Sequence, residues 1–356
     1  MKKNILIVLL IALSVFIYFR QDNKNYYDMI NAVSGATPLA IDRDTPEGVS
    51  LNIDGLVKQE YQFNASALNG FASTRIRTKE FSPDGEYLGA YAYAGIPVFN
   101  ILEGIAPEKR PDAVFNQPLD ILIKFISASG ESVGFTFNEI IMADDSLPVT
   151  LAYYREPVKP TADSVKDTYD KNIMTEPLKG LRLIAPAEPD ITRYLDNVVK
   201  ITYATLPAPD DLLPARTKGP RCASSKVTCI DERNTYQATF ENVPRIKIDD
   251  WVLIGHGHGY EENVKAEGFA LRPFLKENFK GITPDDYFLF VACDGYRCLF
   301  SYREIFAVEK GKDMMIVDII NDELPETGFR LAPTADFFTD RSMWGLAYVV
   351  RLTPQL

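Results

Sequence analysis

Phe125-Ile126-Ser127-Ala128-Ser129-Gly130, running on into Phe135-Thr136-Phe137-Asn138-Glu139-Ile140, returns far down the chain. It comes back as Phe290-Val291-Ala292-Cys293-Asp294-Gly295 and Phe300-Ser301-Tyr302-Arg303-Glu304-Ile305. The two stretches align without a gap and match at the Phe, Gly, Phe, Glu and Ile positions. Each reads as an apolar strand, a Ser-Gly or Asp-Gly turn and a second alternating strand, which is the pattern of a β-hairpin. With Asp294-Gly295 as a two-residue loop, Cys293 falls opposite Tyr296 and Cys298 opposite Val291, so both sulfurs share one face. Upstream, Tyr93-Ala94-Gly95-Ile96-Pro97-Val98-Phe99-Asn100-Ile101-Leu102 parallels Ala266-Glu267-Gly268-Phe269-Ala270-Leu271-Arg272-Pro273-Phe274-Leu275. Both place a Gly turn before a short amphipathic helix. Downstream, Gly180-Leu181-Arg182-Leu183 parallels Gly328-Phe329-Arg330-Leu331, each with a Pro soon after. Three matched blocks in one order imply an internal duplication, with copies over 49–205 and 240–356. Pro207, Pro209, Pro214 and Pro220 mark 206–239 as the linker between them.

Composition sets the outer limits. The chain has 356 residues, 46% hydrophobic and 12% aromatic, enough for two buried cores and too apolar for a disordered chain. Its 38 Lys and Arg against 49 Asp and Glu leave a formal charge of -11, a field that repels phosphate backbones and excludes a nucleic-acid partner. Lys2 and Lys3 precede an apolar run from Ile5 to Phe19, broken only by Ser14 and closed by Arg20. A run of that length reaches only ~22 Å as a helix, short of the ~30 Å hydrocarbon core. It suits a signal anchor over 1–20, or a cleaved signal peptide. In both cases the body of the chain works outside the cytoplasm, in a periplasm or at a cell surface, either single-pass and membrane-bound or secreted. Residues 21–48 are polar with little periodicity and read as a juxtamembrane tether.

Outside the cytoplasm, cysteines oxidise. Cys222 with Cys229, and Cys293 with Cys298, form the simplest of three pairings as two local disulfides; free thiols and metal ligation are the alternatives. His256 and His258 are the only histidines, which excludes sites of three or four imidazoles. On an extended segment they would share a face and could hold a metal with Glu261 or Glu262; a Gly-rich mobile loop is the alternative. Asn31-Ala32-Val33-Ser34-Gly35-Ala36-Thr37 resembles the motif on which flavin transferases esterify FMN, Asp-x-x-Ser/Thr-Gly-Ala-Ser/Thr. By that resemblance Thr37 would carry covalent FMN, although Asn31 stands where the motif has Asp; the alternative is a small-residue turn in the tether. No nucleophile elbow, phosphate loop or haem-attachment motif is present in the sequence.

Asp54-Gly55-Leu56-Val57, the Gly95-Ile96-Pro97-Val98 block, Asp294-Gly295-Tyr296 with Phe300 to Ile305, and the stretch from Gly180 to Ile201 together resemble the molybdopterin-binding domain of the sulfite oxidase family. The resemblance implies an α+β fold: two tandem sulfite-oxidase-like mixed α/β domains behind an N-terminal membrane anchor. It also implies a molybdopterin cofactor and an oxidoreductase role, with a redox partner protein in extracytoplasmic electron transfer. In that family a cysteine thiolate between the first strand and the Gly-Ile-Pro block ligates molybdenum. Here Phe63–Tyr91 contains no Cys, and neither does Trp251–Glu267, so the soft anionic sulfur such a metal takes is missing from both. The alternative is a non-catalytic binding or scaffold protein whose inherited cleft holds a ligand or partner.

Overall fold

Asp294-Gly295 does not form the tip of a two-residue loop. The computed structural model describes residues 45–142, 146–158, 178–217, 219, 222–334 and 336–354. In it, the amide of Ala292 donates to Tyr296 O at 2.8 Å and that of Gly295 to Ala292 O at 2.9 Å. The loop is therefore Cys293-Asp294-Gly295, with Gly295 at φ 78°, a left-handed position that disfavours any side chain. The first-half hairpin closes in the same way. Ser127 N donates to Glu131 O at 2.9 Å, Gly130 N donates to Ser127 O at 3.0 Å, and Gly130 has φ 90°. The extra loop residue shifts the register by one, so Val291 faces Arg297 and Phe290 faces Cys298.

That shift overturns the expected cysteine pairing. Cys293 sits in the turn, where it bonds Cys222 across a sequence separation of 71 and a Cα–Cα distance of 5.9 Å. Cys298 lies within the strand, fully buried with its sulfur 3.8 Å from Arg341 O. Cys229 is buried in a neighbouring strand opposite Val349, so both remain thiols.

The first half supplies β1 (Ser50–Gly55), β2 (Tyr61–Asn64), α1 (Ala65–Leu68), β3 (Thr74–Phe81), β4 (Tyr87–Pro97), α2 (Val98–Leu102), β5 (Ile121–Ser127), β6 (Ser132–Thr136), α3 (Phe137–Ile141), β7 (Thr150–Pro157), β8 (Leu181–Ile184) and β9 (Leu195–Thr205). The second supplies β10 (Thr228–Asp231), β11 (Asn234–Gln237), β12 (Arg245–Gly255), β13 (Gly259–Ala270), α4 (Leu271–Asn278), β14 (Tyr287–Ala292), β15 (Arg297–Ser301), a π-type turn (Arg303–Ala307), β16 (Met315–Ile320), β17 (Arg330–Ala332) and β18 (Leu346–Leu352). The architecture is strand-rich, with few and short helices set among mixed sheets.

The two halves pair their strands alike. In the second half, one sheet runs β11-β10-β18-β14-β15, with β10 and β18 parallel, and the other runs β12-β13-β16-β17. In the first half β2-β1-β9-β5-β6 and β3-β4-β7-β8 follow the same order, and β1 and β9 are parallel. There, pairing of β8 with β9 joins them into one nine-stranded sheet. β10 and β11 fall within the 206–239 span that reads as linker, and they complete the second-half sheet.

Gly95 and Gly268, expected as turns, sit instead at equivalent β-bulges. The register of β4 on β7 shifts between Ala94 and Gly95, and that of β13 on β16 between Glu267 and Gly268. A Cβ at Gly95 would lie 2.5 Å from Leu151 O, and one at Gly268 would lie 2.2 Å from Ile316 O. Only glycine lets the backbones approach so closely. The halves share an apolar seam: Leu122 of β5 packs with Leu289, Leu299 and Val350 of β14, β15 and β18. Each such fully buried side chain stabilises by about 1.5–3 kcal/mol. Among the described residues no helix is long and apolar enough to cross a membrane.

Candidate functional site: the cleft between the halves

Each hairpin ends in a side chain that caps the turn following it. Thr136, the last residue of β6, accepts from Glu139 N at 3.2 Å, and Glu139 Oε2 accepts from Thr136 N at 2.8 Å. This reciprocal box closes the start of α3. Ser301, the last residue of β15, repeats the arrangement with Glu304, at 3.0 Å and 3.4 Å.

The capping glutamates then meet arginines that lie at matching distances after the two Gly-x-Arg-Leu blocks. Arg193 Nη2 reaches Glu139 at 2.6 Å and its Nε donates to Glu188. Arg341 pairs with Glu304, and its Nε donates to Asp336 Oδ2 at 2.7 Å. Glu188 precedes Arg193 by the same interval as Asp336 precedes Arg341. Each guanidinium also lies over a ring of its own hairpin, Phe135 at 3.8 Å and Phe300 at 3.9 Å. The same unit of capping Glu, Arg, preceding acid and Phe is therefore built in each half.

The two units are tied together across the halves. Arg303 donates to Glu188 Oε2 at 2.8 Å and to Asp190 Oδ1 at 2.7 Å, and Thr136 Oγ1 lies 3.5 Å from Glu304 Oε2. Burial pushes the Glu304 carboxyl up to about 8 although Arg341 opposes the shift, and burial also raises Asp336.

A cavity of about 230 Å³ opens beside this network, with Phe99, Ile140, Val149, Val308 and Met314 on its apolar side. Asn138 also lines it. Asn138 is fully buried, and its Nδ2 donates to Leu119 O at 2.9 Å. Its Oδ1 has no partner within the protein. A buried acceptor left open beside a cavity is costly unless something donates to it.

The donor set does not fit molybdenum. Of the four cysteines, Cys222 and Cys293 are bonded to each other, while burial pushes the Cys229 thiol up to about 12 and Cys298 well above its ordinary value. No thiolate is available. In the interval where a ligating cysteine is expected, Glu80 is buried and accepts from the Tyr93 hydroxyl, a hard oxygen donor already in use. Nor do His256 and His258 form an extended pair. They occupy the tight turn between β12 and β13, where His258 N donates to Gly255 O and the His256 ring packs on Phe338. Among the described residues no three His, Cys, Asp or Glu converge as metal ligands. Thr37 lies outside the described residues.

Sequence reasoning passed over this network. Its signal was present as an acid five residues before an arginine in both halves, after each Gly-x-Arg-Leu block.

No family description matches the chain, and no curated protein sequence matches it. Among solved structures, the sulfane dehydrogenase SoxCD from Paracoccus pantotrophus is similar at a TM-score of 0.33 and 12% identity, over 84% of this chain and 78% of that one. This is a weak likeness to an oxidoreductase fold, too loose to transfer any site.

Proposed function

We propose that this chain is an exported, membrane-tethered binding protein rather than a molybdenum enzyme. Its ligand is held in the cleft between two tandem sulfite-oxidase-like domains. On this reading the N-terminal 1–20 segment anchors it, and a duplication produced the halves over 49–205 and 240–356. The matched strand orders and the recurring Arg-carboxylate-Phe unit support the duplication. One observation carries the binding function: the buried, unpaired Oδ1 of Asn138 beside an apolar cavity. The ligand it selects has an apolar body and at least one N–H or O–H donor, because Oδ1 can only accept. Glu304, Arg193 and Arg341 line the same cavity and form its polar side. The missing thiolate argues against molybdenum chemistry, and no step through a pterin follows from these residues.

The test is gentle native mass spectrometry with elemental analysis on the full chain purified from its own membrane. We expect a non-covalent organic adduct that leaves on denaturation, with no molybdenum. Molybdenum near one atom per chain, or a flavin adduct surviving denaturation and lost in Thr37→Ala, would replace binding by electron transfer.

A further inference from the structure

A second cavity, of about 220 Å³, lies where the first half, the 206–217 segment and the second hairpin meet. Arg297, the first residue of β15, is 3% exposed. Its Nη1 donates to Asp210 Oδ1 at 2.7 Å. Its Nε and Nη2 are buried and have no partner within the protein. Those two nitrogens share one edge of the guanidinium, and their parallel N–H bonds match the two oxygens of a carboxylate or phosphate. Leaving both donors of a buried cation unmet is expensive, so the edge calls for an acceptor.

Lys109 lines the same cavity with its side chain 5% exposed, donates to Phe115 O at 2.8 Å and pairs with Asp120. Lys109 and Asp120 therefore balance each other. Arg297 also feels the buried Asp120, while its own hydrogen-bonded partner Asp210 has a side chain 47% exposed and screened by water. The charges of the lining cancel in number, and what the cavity leaves unmet is the donor edge of Arg297. Leu206, Leu289, Leu299 and Leu352 complete the wall, leaving room for a short apolar portion next to the charged group.

We propose that this cavity is a second binding site, independent of the Asn138 cleft, which takes a small oxyanion, a carboxylate or phosphate group, on the Nε/Nη2 edge of Arg297. Such a ligand touches both halves and the segment joining them. Its binding therefore adds to the stability of the folded chain by mass action.

The probes are sodium acetate, sodium phosphate and sodium sulfate, titrated into the full chain by calorimetry and thermal unfolding. Sodium chloride at matched ionic strength is the control. Saturable binding of acetate or phosphate, with a rise in Tm that chloride does not produce, is the expected result. The stronger of those two names the group the site selects. Arg297→Lys keeps the charge but loses the fork and weakens binding about tenfold. Asp210→Asn keeps an acceptor for Nη1 but removes its charge, so binding tightens roughly threefold. That gain separates a lost site from a misfolded protein. A response no greater than that to chloride overturns the proposal. So does Arg297→Lys binding as tightly as the unaltered chain.

Discussion

At one position the two halves do opposite things. The first half carries Asn138 one residue before its capping glutamate; the second carries Arg303 one residue before its own. Arg303 crosses the boundary to Glu188 and Asp190 and braces the halves together. Asn138 donates to Leu119 O and leaves its buried Oδ1 without a partner in the wall of the cavity. The scaffold around them is alike: the same hairpin loop, bulge, capping box, and arginine stacked on phenylalanine. On the proposed reading the two frames divide the work: Arg303 clamps the halves, and Asn138 binds.

The sharpest way to break this symmetry is to remove its arginines. Arg341→Ala leaves the buried Asp336 without its cation and Glu304 without its donor, and lowers stability by about 3–5 kcal/mol in urea unfolding. Arg193→Ala lies in the less buried copy, where Glu188 keeps Arg303, and loses less. Equal losses would mean the two units are energetically the same. A smaller effect comes from converting the clamp into its counterpart. Arg303→Asn removes the contacts across the halves while Glu188 keeps Arg193, lowering stability by about 2 kcal/mol. The Asn138 cavity keeps its ligand in that variant.

The mildest test is by pH. Folding raises the Glu304 pKa from 4.5 to about 8, so the folded chain holds a proton that the unfolded chain has released. Stability from this group is fully present below about 4.5 and is lost as pH rises toward 8. Glu304→Gln mimics the protonated form and flattens that slope, leaving the part due to Asp336, which burial also raises. Parallel pH profiles for the two chains would show that Glu304 does not titrate as argued.

Much of this frame is legible in the chain. The matched hairpin blocks are local signals and form the same hairpin in both halves, whereas Gly95 and Gly268, expected as turns, lie at bulges within strands. The pairing of cysteines was not legible, because one extra loop residue decides which face Cys298 takes, and Asp-Gly followed by alternating residues fits both loop lengths. β10 and β11 hid for another reason. Each is four residues long, and they lie just past a proline-rich stretch, so their partner β18 identifies them rather than their own pattern. The Arg-carboxylate network joins residues from distant parts of the chain, such as Arg303 with Glu188. No periodicity within one segment reports that meeting.

On the proposed function, Asn138 Oδ1 holds a ligand. Native mass spectra of the full-length chain and of Asn138→Leu, purified alike and checked for equal folding, test it most directly. A small-molecule adduct on the parent and none on Asn138→Leu is the expected result. An equal adduct on both chains would contradict it.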